Sequence, residues 1–246
     1  GRLIDRAYQL PFRFDGRQLR GLVGDTLASA LLANGQMLMG RSFKYHRPRG
    51  PISSGVEEPN ALLGLGQGGR FEPNQRATPT PLVAGMVTQA QNCWPSLTAD
   101  VGAVNNWLYR FFPAGFYYKT FMYPRGFWKH VFEPIIRRSA GLGKAPTEAD
   151  PDKYEQAYAH VDLVVVGGGI AGLSAALDAA RAGKTVWVLE QTPNWGGRTP
   201  ADHADGLARI DGLLAELRAL PNVTLRRNTM ATGLYDHGFL LAREAL

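Results

Sequence analysis

One cysteine, Cys93, stands in a chain of 246 residues. An internal disulfide is therefore excluded, as is a zinc or iron–sulfur centre that needs several cysteine ligands. Cys93 itself reads as a small buried apolar side chain beside Trp94. Long apolar runs are also missing. The stretch Leu163 to Leu177 lies between Asp162 and Asp178, contains several glycines and is too short to cross a bilayer. No charged, apolar and small-residue leader opens the sequence, so a cytoplasmic protein without membrane attachment is expected, and the Asn222-Val223-Thr224 sequon is idle. The motifs G-x-S-x-G, H-E-x-x-H and C-x-x-C are absent. The five histidines (His46, His130, His160, His203 and His237) lack metal-ligand spacing. Neither a metal site nor a catalytic acid, base or nucleophile is identified.

What is present suits a globular protein: 45% of residues are apolar and 20% charged. The net charge of +6 is uneven. Residues 1–60 carry +4, residues 61–159 carry +3 and residues 160–246 carry −1. The excess is densest at Arg41, Lys44, Arg47 and Arg49, interleaved with Phe43, Tyr45 and His46. Basic and aromatic residues alternate in this way in single-strand nucleic-acid binders. One short cluster on a modestly charged chain points elsewhere: to a solvated loop, or to a patch facing a phosphate-bearing cofactor or an acidic partner. No nucleic-acid partner is expected.

Three stretches differ in texture: residues 1–95, 96–159 and 160–246. In the first, Tyr8 to Phe14 and Gln18 to Val23 flank Asp15-Gly16, a dipeptide suited to a tight hairpin turn. Gly24-Asp25-Thr26 then offers an N-cap, Leu27 to Ala33 a short helix, and Asn34-Gly35 a C-cap. A long Gly/Pro-rich loop follows from Arg47 to Gly69. This order resembles the plant-type ferredoxin domain, whose long loop supplies cysteines to a [2Fe–2S] cluster. Here the loop has no thiolate, so an α+β ferredoxin-like domain without an iron–sulfur cluster is expected. Residues 96–159 are crowded with aromatics, among them Trp107, Phe111, Phe116, Tyr117, Tyr118, Tyr123 and Trp128. Two readings are open for this connector, a packed core and an interface. Asp150 to Gln156 reads as a hinge.

The chemistry-bearing motif lies in the third stretch. An apolar β-branched run, Val161 to Val166, reads as a buried parallel strand. It leads into G-x-G-x-x-G at Gly167, Gly169 and Gly172, with Ile170 and Ala171 opening a helix that ends near Gly183. A second strand, Thr185 to Leu189, ends in Glu190. Gly167 permits the tight turn, Gly169 lets a pyrophosphate approach the backbone, and Gly172 lets helix and strand pack closely. The helix N-terminus offers N–H groups to phosphates. Glu190 sits where an acid accepts hydrogen bonds from an adenosine ribose, and its charge disfavours a 2′-phosphate. NAD or FAD is thus preferred over NADP. Gly196-Gly197-Arg198 is similar to the Gly-Gly extension of flavin and nicotinamide disulfide-reductase-like folds; it reads either as a second turn against the nucleotide or as a plain loop. Gly183-Lys184-Thr185 is no P-loop, because it closes a helix instead of opening one. Leu207, Ile210, Leu213, Leu214, Leu217 and Leu220 form a helical stripe, and a strand follows at Val223 to Arg226. An incomplete α/β Rossmann-like (FAD/NAD-binding) domain in a truncated chain is expected, since a full doubly wound sheet needs more strands.

Several long segments carry a more specific resemblance. They include Gly24 to Gly35, Gly40 to Gly50, Glu57 to Ala61, Gln91 to Ser96 and Pro113 to Phe121. Over its whole length the chain resembles the N-terminal part of the alpha subunit of heterotetrameric sarcosine oxidases. The resemblance implies an NAD site at Gly167, Gly169, Ile170, Ala171, Gly172, Glu190, Gly197 and Arg198. It also implies beta, gamma and delta partner subunits, with FAD and FMN in or at the beta subunit, where sarcosine is oxidised. This chain would then be non-catalytic alone. Related opine or amino-acid dehydrogenase complexes, cyanide-forming complexes and a scaffold with a vacant nucleotide site are the alternative readings.

Overall fold

A computed structural model describes residues 3–115, 121–139, 141 and 143–245. Phe116, Tyr117, Tyr118 and the rest of 116–120 lie outside the described residues. The chain divides into two compact units, one ending at Lys153 and one starting at Tyr154. Residues 96–153 thus belong to the same unit as residues 1–95.

The first unit begins with the expected hairpin. Strands β1 (Asp5–Phe14) and β2 (Arg17–Val23) turn through Asp15 and Gly16, both at positive φ. Helix α1 (Leu27–Ala33) follows. Thr26 caps it: its hydroxyl accepts from the Ser29 amide, and the Ser29 hydroxyl accepts from the Thr26 amide. The short pair β3 (Gly40–Arg41) and β4 (Pro48–Arg49) brackets the basic cluster. Strands β5 (Leu62–Leu65), β6 (Glu72–Arg76) and β7 (Val87–Ala90) complete a five-stranded sheet of order β2-β1-β7-β5-β6. Its pairings are antiparallel except for β1 with β7, which run parallel. Alternate residues Phe12 and Phe14 of β1 meet Leu27 and Leu31 of α1, Leu63 and Leu82 in one apolar core. Helices α2 (Val104–Trp107) and α3 (Glu133–Ser139) stand outside that core.

The long loop between β4 and β5 is organised by a buried carboxylate. Glu58 Oε2 accepts from the amides of Ile52 and Ser53, each at 2.7 Å, and from the Ser53 hydroxyl. Its Oε1 accepts from the amides of Asn60 at 2.7 Å and Ala61 at 3.2 Å. A second tie runs from the buried Thr78 hydroxyl to the Gly55 carbonyl. A buried carboxylate is tolerated only when its oxygens are satisfied, and here four backbone donors converge on one side chain.

The second unit is a three-stranded parallel sheet of order β10-β9-β8, formed by β8 (Leu163–Val166), β9 (Val186–Leu189) and β10 (Val223–Arg226). Helix α4 (Ile170–Arg181) links β8 to β9. The short α5 (Thr199–Asp202) and the longer α6 (Gly206–Arg218) link β9 to β10. Leu173 and Leu177 of α4 pack with Ile210, Leu214 and Leu217 of α6 over Val186 and Val188. Asp162 locks the start of β8 to β9, accepting at 2.8 Å from both the amide and the hydroxyl of Thr185. These bonds hold its carboxyl below the usual aspartate range. The hairpin of β11 (Thr229–Leu234) and β12 (Leu240–Glu244) follows. The expected burial of β8 is not reached: β8 is an edge strand of this sheet, which leaves Leu163 to Val165 half-buried and Val166 exposed.

The Glu58 cradle has a pH signature. Burial works to raise its carboxyl, but the amides of Ser53, Asn60, Ile52 and Ala61 outweigh it and hold the group below the usual glutamate range. A carboxyl depressed by folding stabilises the native state at neutral pH, and that contribution disappears as pH falls through the folded-state value. Glu58→Gln puts an amide NH2 among converging donors. It is expected to cost about 2–3 kcal/mol at neutral pH and to flatten the acid side of the stability curve; urea unfolding from pH 7 to pH 3 checks both.

Candidate functional site

The glycine motif occupies the turn between β8 and α4. Gly167 has φ +104°, which a side chain would not tolerate, and its amide donates to the Leu189 carbonyl at 2.8 Å. Gly172 in the first turn of α4 packs so tightly that an added Cβ would lie 2.0 Å from the Gly167 carbonyl oxygen. Gly169 differs: a Cβ there would meet nothing within 4 Å. It is the N-cap of α4 and supplies no capping side chain. The start of a 12-residue helix therefore opens onto unfilled space, with Ile170 half-buried and Ala171 exposed beside it. Helix N-termini of this kind carry partial positive charge.

Glu190 closes the turn from the end of β9. It is buried, and its Oε2 accepts from the Gly168 amide at 2.8 Å. Its Oε1 accepts from the amide and the hydroxyl of Thr192, each at 2.8 Å. A carboxylate has about four acceptor positions; three are used here, leaving one on Oε2. The acid that the spacing points to is thus also a fixed part of the turn.

Trp195 completes the arrangement. An added Cβ on Gly168 would lie 2.3 Å from its ring. The next residue, Gly196, has φ +107° and donates its amide to the Gly168 carbonyl at 2.8 Å, pairing in parallel with Gly169. Gly197, at φ +53°, faces Gly169 closely enough for an added Cβ to stand 3.6 Å from its Cα. Gly196-Gly197 thus forms a second turn docked on the first. Arg198 lies at the start of α5 with its side chain exposed and 3.5 Å from Asp202. Gly167, Gly169, Ile170, Ala171, Glu190 and Gly197 therefore meet at the turn between β8 and α4, with Gly172 packed against Gly167 and Val165, while the Arg198 guanidinium turns to Asp202 of its own helix. The glycine spacing alone does not mark Gly168, Thr192 or Trp195; for Gly168 the uninterrupted Gly167-Gly168-Gly169 run is the available signal.

Elsewhere the residues offer little chemistry. Burial pushes the half-buried Cys93 thiol up, with Asp15 and Asp100 adding to the effect, which disfavours its reactive thiolate form. Among the described residues no three His, Cys, Asp or Glu side chains are grouped to hold a metal ion, and no helix is long and apolar enough to cross a membrane.

Comparison with known proteins accounts for both units. Residues 7–93 match the family described as 2Fe-2S iron-sulfur cluster binding domain, and residues 162–216 match the family described as FAD binding domain. Sarcosine oxidase subunit alpha of Rhizobium meliloti (strain 1021) is 55% identical over 239 residues, covering 95% of this chain. The chain is similar to sarcosine oxidase alpha subunits over nearly its whole length. The alpha subunit of Corynebacterium sp. (strain U-96) is 32% identical over 99% of the chain. The chain spans 24% and 21% of the lengths of those two relatives. An L-proline dehydrogenase from P. horikoshii, at 18% identity and TM-score 0.53, shares the fold over 98% of this chain and 38% of its own. The chain therefore joins a domain of the 2Fe-2S type to a domain of the FAD-binding type.

The residues of the first domain do not fit an iron–sulfur cluster. Such a cluster takes four cysteine ligands and the whole chain has one. In the second domain, an adenine dinucleotide fits the open helix start, the glycine backbone and the spare acceptor on Glu190.

The contrast between two glycines tests this geometry. Gly172→Ala drives a Cβ into the Gly167 backbone and is expected to cost about 1–3 kcal/mol. Gly212 lies inside α6 with open space beyond it, so Gly212→Ala is expected to stabilise by about 0.5–1 kcal/mol. Paired thermal melts check the opposite signs.

Proposed function

We propose that this chain is the nucleotide-holding part of a sarcosine oxidase-type alpha subunit, with NAD in the turn between β8 and α4. The observation that carries the reading is the pair formed by Gly169 and Glu190. Open space lies over an uncapped helix start, and a buried carboxylate with one spare acceptor stands beside it. The pyrophosphate would lie over Gly167, Gly169 and the amides of Ile170 and Ala171. One ribose hydroxyl would donate to Glu190 Oε2, and Gly197 would border the nucleotide from the second turn. Arg198 would reach a phosphate only after leaving Asp202. NAD supplies hydride-transfer chemistry where it turns over; these residues bind and orient its adenosine half and offer no group that moves a proton.

In this reading residues 1–95 form a ferredoxin-like domain in which Glu58 holds the loop, and residues 160–246 belong to a Rossmann-like domain. Oxidation of sarcosine would take place on a partner beta subunit bearing FAD and FMN, with gamma and delta subunits completing the assembly. The alpha-subunit homology supports this placement.

The test is to purify the protein natively, denature it and identify any released nucleotide by chromatography and mass. NAD near one equivalent is expected. FAD would keep the site and replace the cofactor, whereas no nucleotide would make the chain a scaffold. NADP is expected to bind at least tenfold more weakly than NAD, because a 2′-phosphate would face a buried carboxylate. Glu190→Gln is expected to weaken NAD binding by about tenfold, the loss of one hydrogen bond to a charged group, as read by calorimetric titration.

A further inference from the structure

Residues 101–111 carry a helical stripe turned the opposite way from an ordinary surface helix. The run comprises Val101–Ala103, α2 and Tyr109–Phe111. Val101, Val104, Trp107, Leu108 and Phe111 fall at helical spacing, and all are exposed: Trp107 by 82% and Phe111 by 76%. The inward positions are small or polar. Gly102 lies against the His46 ring, where an added Cβ would stand 2.3 Å from Nδ1, and Asn106 Oδ1 accepts from Arg47 Nε at 2.7 Å. An amphipathic helix normally buries its apolar side.

The reversal is enforced by the basic cluster between β3 and β4. Arg41 donates to the Leu97 carbonyl through Nε at 2.9 Å and Nη2 at 2.6 Å. The His46 ring meets the Asp100 carboxylate at 2.7 Å, and that carboxylate also accepts from the Trp94 and Gly102 amides. At the far end, the Tyr45 hydroxyl donates to the Phe112 carbonyl at 2.7 Å and Lys44 Nζ to the Pro113 carbonyl at 3.0 Å. The run is thus clamped before, along and after its length, with its apolar side outward.

We propose that this stripe is a docking site for another polypeptide, one presenting an apolar face rimmed by Asp and Glu. Charge selects the occupant. Arg47 and Arg110 are exposed beside the stripe, and the only acid in residues 94–113, Asp100, is buried against His46. Aromatic and Arg side chains in a pre-ordered setting are the composition of interface hot spots. Val101, Val104 and Leu108 gain nothing from base stacking, which favours a protein over a nucleic acid. The proposal is independent of the dinucleotide reading, since it concerns the first unit alone.

Hydroxyl-radical footprinting of the natively purified assembly, against the isolated chain, tests it together with carbodiimide cross-linking. Oxidation of Trp107 and Phe111 is expected to slow about tenfold in the assembly, and Lys44 is expected to cross-link to an Asp or Glu of a different polypeptide. Trp107→Glu and Phe111→Glu, both at exposed positions, are expected to weaken that association tenfold or more, with circular dichroism and released nucleotide unchanged. Unprotected Trp107, protection abolished by nuclease, or a cross-link to a second copy or to the same polypeptide would overturn the proposal. The nucleotide released from the same preparation reports separately on the cofactor reading.

Discussion

The hydrogen bond from the Gly168 amide to the Glu190 carboxylate ties the first glycine turn of the second unit to the end of β9. Glu190 ends β9, Gly168 lies in the turn after β8, and Trp195 packs where a side chain on Gly168 would be. Burying a carboxylate is costly unless its oxygens are satisfied. The turn must therefore bring the Gly168 amide to Glu190, and Thr192 must supply the other donors. Once those bonds are made, Gly196 can reach the Gly168 carbonyl and place the second glycine turn beside Gly169. A loop built in this way is held by its own hydrogen bonds, and a pre-ordered loop lowers the ordering cost of any association.

The same physics recurs in the first unit. Glu58 gathers amides from both sides of a long loop that otherwise has no regular structure, and this loop lies in the segment matching a cluster-binding family. Where cysteines would be needed to organise an inorganic centre, one side-chain carboxylate with backbone donors does the organising here. In both units a single buried anion converts a glycine-rich loop into a fixed one. The two differ in what remains: Glu58 has five donors on its oxygens, whereas Glu190 keeps one acceptor position in reserve.

Local rules made much of this legible. Asp15-Gly16 announces the hairpin, Thr26 and Asn34 bracket α1, and the order of strand, glycines, helix, strand and acid places the opening at Gly169. Tertiary context decided the rest. Nothing local marks Glu58, because no sequence signal shows that the amides of Ile52, Ser53, Asn60 and Ala61 converge on it. The basic cluster at Arg41 to Arg49 reads as a solvated loop, or as a patch facing a phosphate-bearing cofactor or an acidic partner. Its sequence gives no sign that Arg41, Lys44 and Tyr45 reach carbonyls between Leu97 and Pro113, because these are long-range pairings without any local signature. The aromatic stretch left core and interface open, and for Trp107 and Phe111 burial decides against core. The run Val161 to Val166 suggests a strand covered on both sides, whereas β8 borders its sheet.

Amide hydrogen exchange at single-residue resolution, with and without NAD, tests the central claim that the opening is prebuilt. Gly168 and Gly196 are expected to exchange slowly in the free protein and to change little on adding NAD, while Ile170 and Ala171 become protected only when it is present. Gly168 exchanging at unstructured-chain rates until NAD is added would contradict it, because the turn would then be formed by the ligand and not by Glu190.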